Sequence, residues 1–273
     1  MSAATDRLVT SRAPAPANDR TLLRVEGLTA GFGSNQVLHG VDLEVRRGEI
    51  AGLFGLNGAG KSVTMKTIAG LVPAWGGRVT FDGIDVTNVS PERRVALGMG
   101  HVPQGRQVFP ALTVEENLRL GAYTSRRRDR AGYPARLDRA LERFPVLRDR
   151  RGQLAGTLSG GQQASLAVAR ALVNDPTLVL VDEPSAGLSP KMQHDLREVL
   201  QVVKDSGVTV VLVEQNIAFG LSLVDTANLL QTGTVVHTAA VEDLDNDTLA
   251  THLGIGKVLA GATGTALRAR KGS

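Results

Sequence analysis

From Leu22 onward, apolar and polar positions alternate with the period of a half-buried strand. Leu22 to Leu28 and Val37 to Val45 follow this pattern, and Gly31-Phe32-Gly33-Ser34-Asn35 reads as the turn between them. Gly48-Glu49 turns into a short apolar run, Ile50 to Phe54, followed by a Gly-rich loop and a helix from about Gly60 to Ala69. Arg78 to Phe81 is a further strand. Ser90 and Pro91 open a short helix as N-cap and first helical residue. Between about Gln104 and Leu158 the strand signals stop. Thr113-Val114-Glu115-Glu116 is a capping box there, and Leu137 to Phe144 reads as another helix. After Ser159 the alternation resumes: a helix to about Val173, strand Leu178 to Val181, helix Pro190 to Lys204 and strand Val208 to Val213. A late strand pair, Ala227 to Gln231 and Thr234 to Thr238, flanks Gly233.

Strands alternating with helices predict an α/β fold with a mainly parallel sheet core. An N-terminal antiparallel β element precedes that core, and an α-helical subdomain is inserted in it. The expected organisation is a disordered leader over 1–20, one domain over 21–256 with its helical subdomain at about 105–160, and a flexible tail over 257–273. The leader is rich in Ser, Ala, Pro and Asn and lacks the apolar segment of a secretory signal. No segment holds the roughly 18 consecutive apolar residues of a membrane span. With no Cys in the chain, disulfides and thiolate metal sites are excluded, and a reducing cytoplasm fits. The net charge is +4, and ten Arg against four acids lie between Arg126 and Arg151. Such a run is a solvated helical face or a contact with a protein or anionic headgroups. It has no aromatic pattern that would favour nucleic acid, which is not expected as a partner.

Three short segments carry chemistry. Gly55-Leu56-Asn57-Gly58-Ala59-Gly60-Lys61-Ser62 matches G-x-x-x-x-G-K-[ST], with a strand before it and a helix after it, as a phosphate-cradling loop requires. Gly55, Asn57, Gly58, Ala59, Gly60, Lys61, Ser62 and Val63 form the candidate phosphate-binding set. Lys61 is placed to reach the β- and γ-phosphates and Ser62 to ligate Mg²⁺. Leu178-Val179-Leu180-Val181-Asp182-Glu183 is an apolar strand ending in two acids. Asp182 is the candidate second metal ligand, and Glu183, one residue further out, can polarise an attacking water. Alone, the pair could simply end a strand; beside Lys61 it points to nucleotide hydrolysis. Ser159-Gly160-Gly161-Gln162 is a capping box at a helix start. A plain cap does not need two helix-weakening glycines, and a hydroxyl with free N–H groups at a helix start makes a second anion site.

With the signature Leu158-Ser159-Gly160-Gly161-Gln162 lying 23 residues before Asp182, the chain resembles the ABC ATPases from about Leu22 to Leu253. The resemblance implies a P-loop NTPase (RecA-like) core and a head-to-tail dimer. Two ATPs are then sandwiched, each between one subunit's phosphate loop and the other's Ser159 to Gln162. It also places Phe32 against adenine and Gln104 as a metal-sensing residue at the join to the helical subdomain. Gln215 falls where the family usually has its switch histidine; its amide donates a hydrogen bond but does not titrate. Gln104 to Leu118, Asp182 to Pro190 and Val213 to Asn216 resemble the ATPases of branched-chain amino acid importers and their relatives that import urea or short amides. That subgroup implies a second ATPase subunit, identical or not, transmembrane permease subunits, a solute-binding protein reached indirectly, and a place at the cytoplasmic face of the membrane. A non-transport ABC ATPase is the alternative from another class. A nucleotide-binding regulator that does not hydrolyse is a third reading, which Glu183 disfavours.

Overall fold

A computed structural model describes residues 20–105, 107–123, 129 and 131–253. The expected leader and tail therefore lie almost wholly outside the described residues. Strands β1 (Thr21–Phe32) and β2 (Asn35–Arg46) pair antiparallel, with Val25 opposite Leu43 and Phe32 opposite Asn35. The turn between them is only Gly33-Ser34, so Gly31, Phe32 and Asn35 belong to the strands, contrary to the five-residue turn expected from the glycines. Register shifts between Leu28 and Thr29 and between Ala30 and Gly31, each with an extra residue on β2, break the alternation beside the hairpin end, while the ladder itself continues to Phe32 opposite Asn35.

Strand β3 (Ile50–Phe54) leads into α1 (Lys61–Ile68), then β4 (Gly76–Phe81), β5 (Ile84–Asp85), α2 (Pro91–Leu97) and β6 (Met99–Val102). The stretch expected to form a helical subdomain holds α3 (Val114–Gly121), α4 (Tyr133–Arg143) and α5 (Pro145–Arg148). After it come α6 (Gly160–Leu172), β7 (Leu178–Asp182), α7 (Pro190–Asp205), β8 (Thr209–Glu214) and α8 (Ile217–Leu221), then β9 (Thr226–Gln231), β10 (Thr234–Ala240) and α9 (Asn246–Leu253). The sheets run β2-β1-β4-β5 and β10-β9-β3-β8-β7-β6. In the larger, β9, β3, β8, β7 and β6 are mutually parallel and β10 returns antiparallel.

Strands buried on both faces explain the unbroken apolar runs of β3, β7 and β8. Leu178, Leu180, Val211 and Val213 pack with α1 and the inner face of the antiparallel sheet. Val179, Val181, Val210 and Leu212 point the other way, into a core shared with α3, α4, α6 and α7. Period-two alternation thus divides each strand between two cores, with the sheet as the wall between them. The expected capping boxes form at Thr113/Glu116 and Ser159/Gln162. Within the basic run, Arg136 pairs with Asp129 (2.7 Å), Arg139 with Asp175 (2.5 Å) and Arg151 with Glu115 (2.7 Å). Arg139 and Arg151 are solvated and reach acids outside the run, whereas the Arg136 side chain is largely enclosed.

Candidate active site

The parallel strands place their carboxyl ends together, where open α/β sheets bind ligands. The loop after β3 wraps the start of α1. Gly60 has φ 105°, a left-handed conformation closed to residues with a Cβ, and this turns the chain sharply into the helix. Lys61 is the first residue of α1 and is buried. Its ammonium donates to the carbonyls of Gly55 (2.8 Å) and Leu56 (3.2 Å) and lies 4.0 Å from Glu183 Oε1. Burial lowers the lysine pKa, opposed by attraction from Glu183, Asp182 and Glu214. The Ser62 hydroxyl lies 3.4 Å from Asp182 Oδ1. Burial, then the neighbouring Glu183 charge, raises the Asp182 pKa against the Ser62 hydrogen bond.

Glu183 is the first residue past β7 and has φ 45°. Its N–H donates to Val213 O across the sheet (2.9 Å), and its Oε2 accepts from the Gln104 amide (2.7 Å). Gln104 sits just beyond β6, adjacent to β7 in the sheet, so the pairing of Val102 with Val181 brings these two residues together from 79 positions apart. A cleft of ≈ 430 Å³ is lined by Asn57, Gly58, Gly60, Lys61, Ser62, Val63, Gln104, Glu183 and Gln215, joined by Val37 of β2. The structure thus gathers Asn57, Gly58 and Gly60 to Val63 of the phosphate loop with Gln104, Glu183 and Gln215 on one cleft, with Asp182 immediately behind through Ser62; Gly55 and Ala59 of the same loop do not line it. Val37 was not legible as a site residue, being an ordinary apolar strand position.

Two groups of expected site residues stand apart from this cleft. Phe32, at the tip of the β1–β2 hairpin, is 54% exposed and available to stack. Ser159 is exposed, and Ser159, Gly160, Gly161 and Gln162 do not line the cleft. Gly161 has a further reason to be glycine: an added Cβ would lie 3.2 Å from the Asp195 carboxylate of α7, so the residue also permits close packing of α6 on α7. Among the described residues no cluster of three or more His, Cys, Asp or Glu side chains could hold a metal.

A family model described as ABC transporter matches residues 38–186. The high-affinity branched-chain amino acid transport ATP-binding protein BraG of Pseudomonas aeruginosa is 40% identical over 215 residues, 79% of this chain and 91% of that protein. This chain belongs to the ABC transporter ATP-binding family. The ABC cassette is also 39% identical over 224 residues to the probable branched-chain amino acid transport ATP-binding protein LivF of Archaeoglobus fulgidus, covering 82% and 94% of the two chains. The lipopolysaccharide export ATP-binding protein LptB of Escherichia coli K12 is 32% identical over 231 residues, 82% of this chain and 93% of its own. A nucleotide-free ATP-binding cassette from an ABC transporter shares the fold at TM-score 0.74 and 27% identity, covering 88% and 98%. A dimeric bacterial ABC transporter cassette does so at TM-score 0.69 and 26% identity, covering 81% and 99%. The ABC cassette is accordingly an ATP-binding subunit whose ATP hydrolysis is coupled to transport. Among the described residues no helix is long and apolar enough to cross a membrane.

Proposed function

We propose that the chain hydrolyses ATP at the Lys61–Glu183 cleft to drive a branched-chain amino acid importer from the cytoplasmic face of the membrane. The observation that carries the chemistry is the convergence of Lys61, Ser62, Gln104, Glu183 and Gln215 on one cleft. Lys61 exchanges its contacts with the Gly55 and Leu56 carbonyls for phosphate oxygens, a replacement of dipoles by anionic acceptors that favours the charged lysine. Backbone N–H groups of Asn57 to Ser62 hold the remaining phosphate oxygens at the start of α1. Phe32 stacks on the adenine.

Ser62 and Asp182 supply a hydroxyl and a carboxylate in near contact, the hard oxygen donors Mg²⁺ takes together with substrate phosphates. They would hold the ion with help from Gln104, and it would neutralise charge developing on the phosphates. Glu183 accepts a hydrogen bond from the attacking water and orients it. Gln215 donates to the γ-phosphate.

The Ser159 to Gln162 helix start, with Ser159 exposed, completes the site of a second ATPase subunit, identical or different, in a head-to-tail dimer. Permease subunits then carry the substrate and a solute-binding protein delivers it. Branched-chain amino acids are favoured over the lipopolysaccharide of the LptB relative because the higher identities fall on BraG and LivF. Urea or a short amide is the neighbouring possibility. The test is Glu183→Gln. This variant is expected to bind ATP, to dimerise in its presence and to turn over at least ~100-fold more slowly, as for loss of a general base. Wild-type turnover would remove Glu183 from the mechanism. Copurification of a polytopic permease with the native subunit, and stimulation of its ATPase by leucine, isoleucine or valine with their binding protein, tests the importer assignment.

A further inference from the structure

Glu214 ends β8 at 1% exposure, one of few charged side chains so deeply enclosed. A carboxylate in that setting persists only when hydrogen-bonded. Its Oε1 accepts from the Ser185 N–H (2.9 Å), and its Oε2 accepts from the Ser185 hydroxyl (2.8 Å) and from the N–H groups of Gln215 (3.2 Å) and Asn216 (3.3 Å). Burial pushes this carboxyl up, and the same donors draw it back down.

The four donors come from two loops. Ser185 lies two residues past Glu183, in the turn after β7. Gln215 and Asn216 lead into α8, with Asn216 as its N-cap. The two loops leave adjacent parallel strands, with Asp182 opposite Val213. Between them the Glu183 backbone is held in a left-handed conformation, φ 45°, which side-chain-bearing residues keep only where the surroundings impose it. The Glu183 N–H is fixed on one side by Val213 O. Ser185, held by Glu214, fixes the other.

We propose that Glu214 is a positioning residue for ATP hydrolysis. Its buried carboxylate clamps the turn carrying Glu183 and the loop carrying Gln215 in one fixed relation. The inference rests on the assignment of Glu183 and Gln215 to the hydrolytic step. A neutral amide does not serve in its place: one end of a Gln side chain would present an NH₂ group to backbone N–H donors. Both loops then shift relative to the γ-phosphate, while Lys61 and the phosphate loop, on α1 and after β3, stay as they are.

The experiment measures kcat, ATP affinity and thermal stability for Glu214→Gln, Glu214→Asp, Ser185→Ala and Glu183→Gln. Glu214→Gln is expected to lower kcat at least ~10-fold while ATP affinity stays within about 3-fold, as for a small misplacement of catalytic groups. Glu214→Asp, which retains the charge, is expected to recover part of that loss. Ser185→Ala removes one donor and is expected to lower kcat by less, and adding it to Glu214→Gln should cost nothing further. If Glu214→Gln does not fold, the decision passes to Ser185→Ala, where an unchanged kcat overturns the inference. A lowered melting temperature with kcat intact would make Glu214 a purely structural residue and also overturn it. An inactive Glu183→Gln beside fully active Glu214→Gln and Ser185→Ala sinks the Glu214 inference alone. A fully active Glu183→Gln sinks both readings.

Discussion

His101 illustrates how one side chain records its surroundings. It lies on β6, three residues before Gln104, and its Nε2 is buried without a hydrogen-bond partner. Burial, with repulsion from Lys66 second, lowers its pKa from 6.5 to about 4. The folded state favours the neutral ring, whereas the unfolded chain takes up a proton near pH 6.5. This contribution to stability is therefore present above pH 6.5 and is lost as the pH falls toward 4. Between pH 7 and 4 the wild type is expected to lose on the order of 1–3 kcal/mol more stability than His101→Gln. Denaturant unfolding of both proteins at the two pH values measures the difference, and parallel losses would mean that His101 is protonated inside the fold. Lys61, Asp182 and Glu183 were legible as candidates because short contiguous strings carry their chemistry, and the structure brings the three close together. Glu214 was legible only as the polar end of a strand, since its partners Ser185 and Asn216 acquire meaning when β7 and β8 lie side by side.

At the scale of elements, Gly233 shows how a turn joins the two sheets. Its N–H donates to Ala59 O in the phosphate loop (2.9 Å), and its carbonyl accepts from His39 N of β2 (2.8 Å). It has φ 74°, and an added Cβ would stand 2.0 Å from Val37 O. Gly233→Ala is expected to cost at least ~2 kcal/mol, because strain and a backbone clash coincide. ATP affinity should fall with it, since Ala59 lies within the phosphate loop and Val37 borders the proposed nucleotide cleft. Calorimetric unfolding and nucleotide titration test both effects, and a stable variant with unaltered affinity would show that the β9–β10 turn is free to move. Strong periodic elements such as α7, β7 and β8 were placed within about a residue by pattern. Strand β6 was missed because Met99-Gly100-His101-Val102 has neither alternation nor length. It is a strand because its edge pairs with β7. Helix α8 spans five residues and was missed for the same reason.

At the scale of the whole molecule, the Lys61–Glu183 cleft proposed to bind ATP is not lined by the Ser159 helix start of the same chain. Catalysis that needs both therefore requires two subunits. Ser159→Arg is expected to leave the affinity of the isolated subunit for ATP within about 2-fold. It should lower turnover at least ~10-fold, because a bulky side chain keeps the helix start from a facing γ-phosphate. Sedimentation with ATP, alongside turnover, checks this, and unaltered turnover would contradict the sandwiched-nucleotide arrangement. The sequence by itself determined the α/β class, the order of most elements and the candidate residues for handling phosphate, since local propensity, period and contiguous motifs carry that information over a few positions. Only the tertiary structure decided that Gln104 grips Glu183, that Val37 borders the cleft and that Glu214 ties two loops together. Those contacts join residues 29 to 79 positions or more apart, and they depend on strand order and register, which no local pattern encodes.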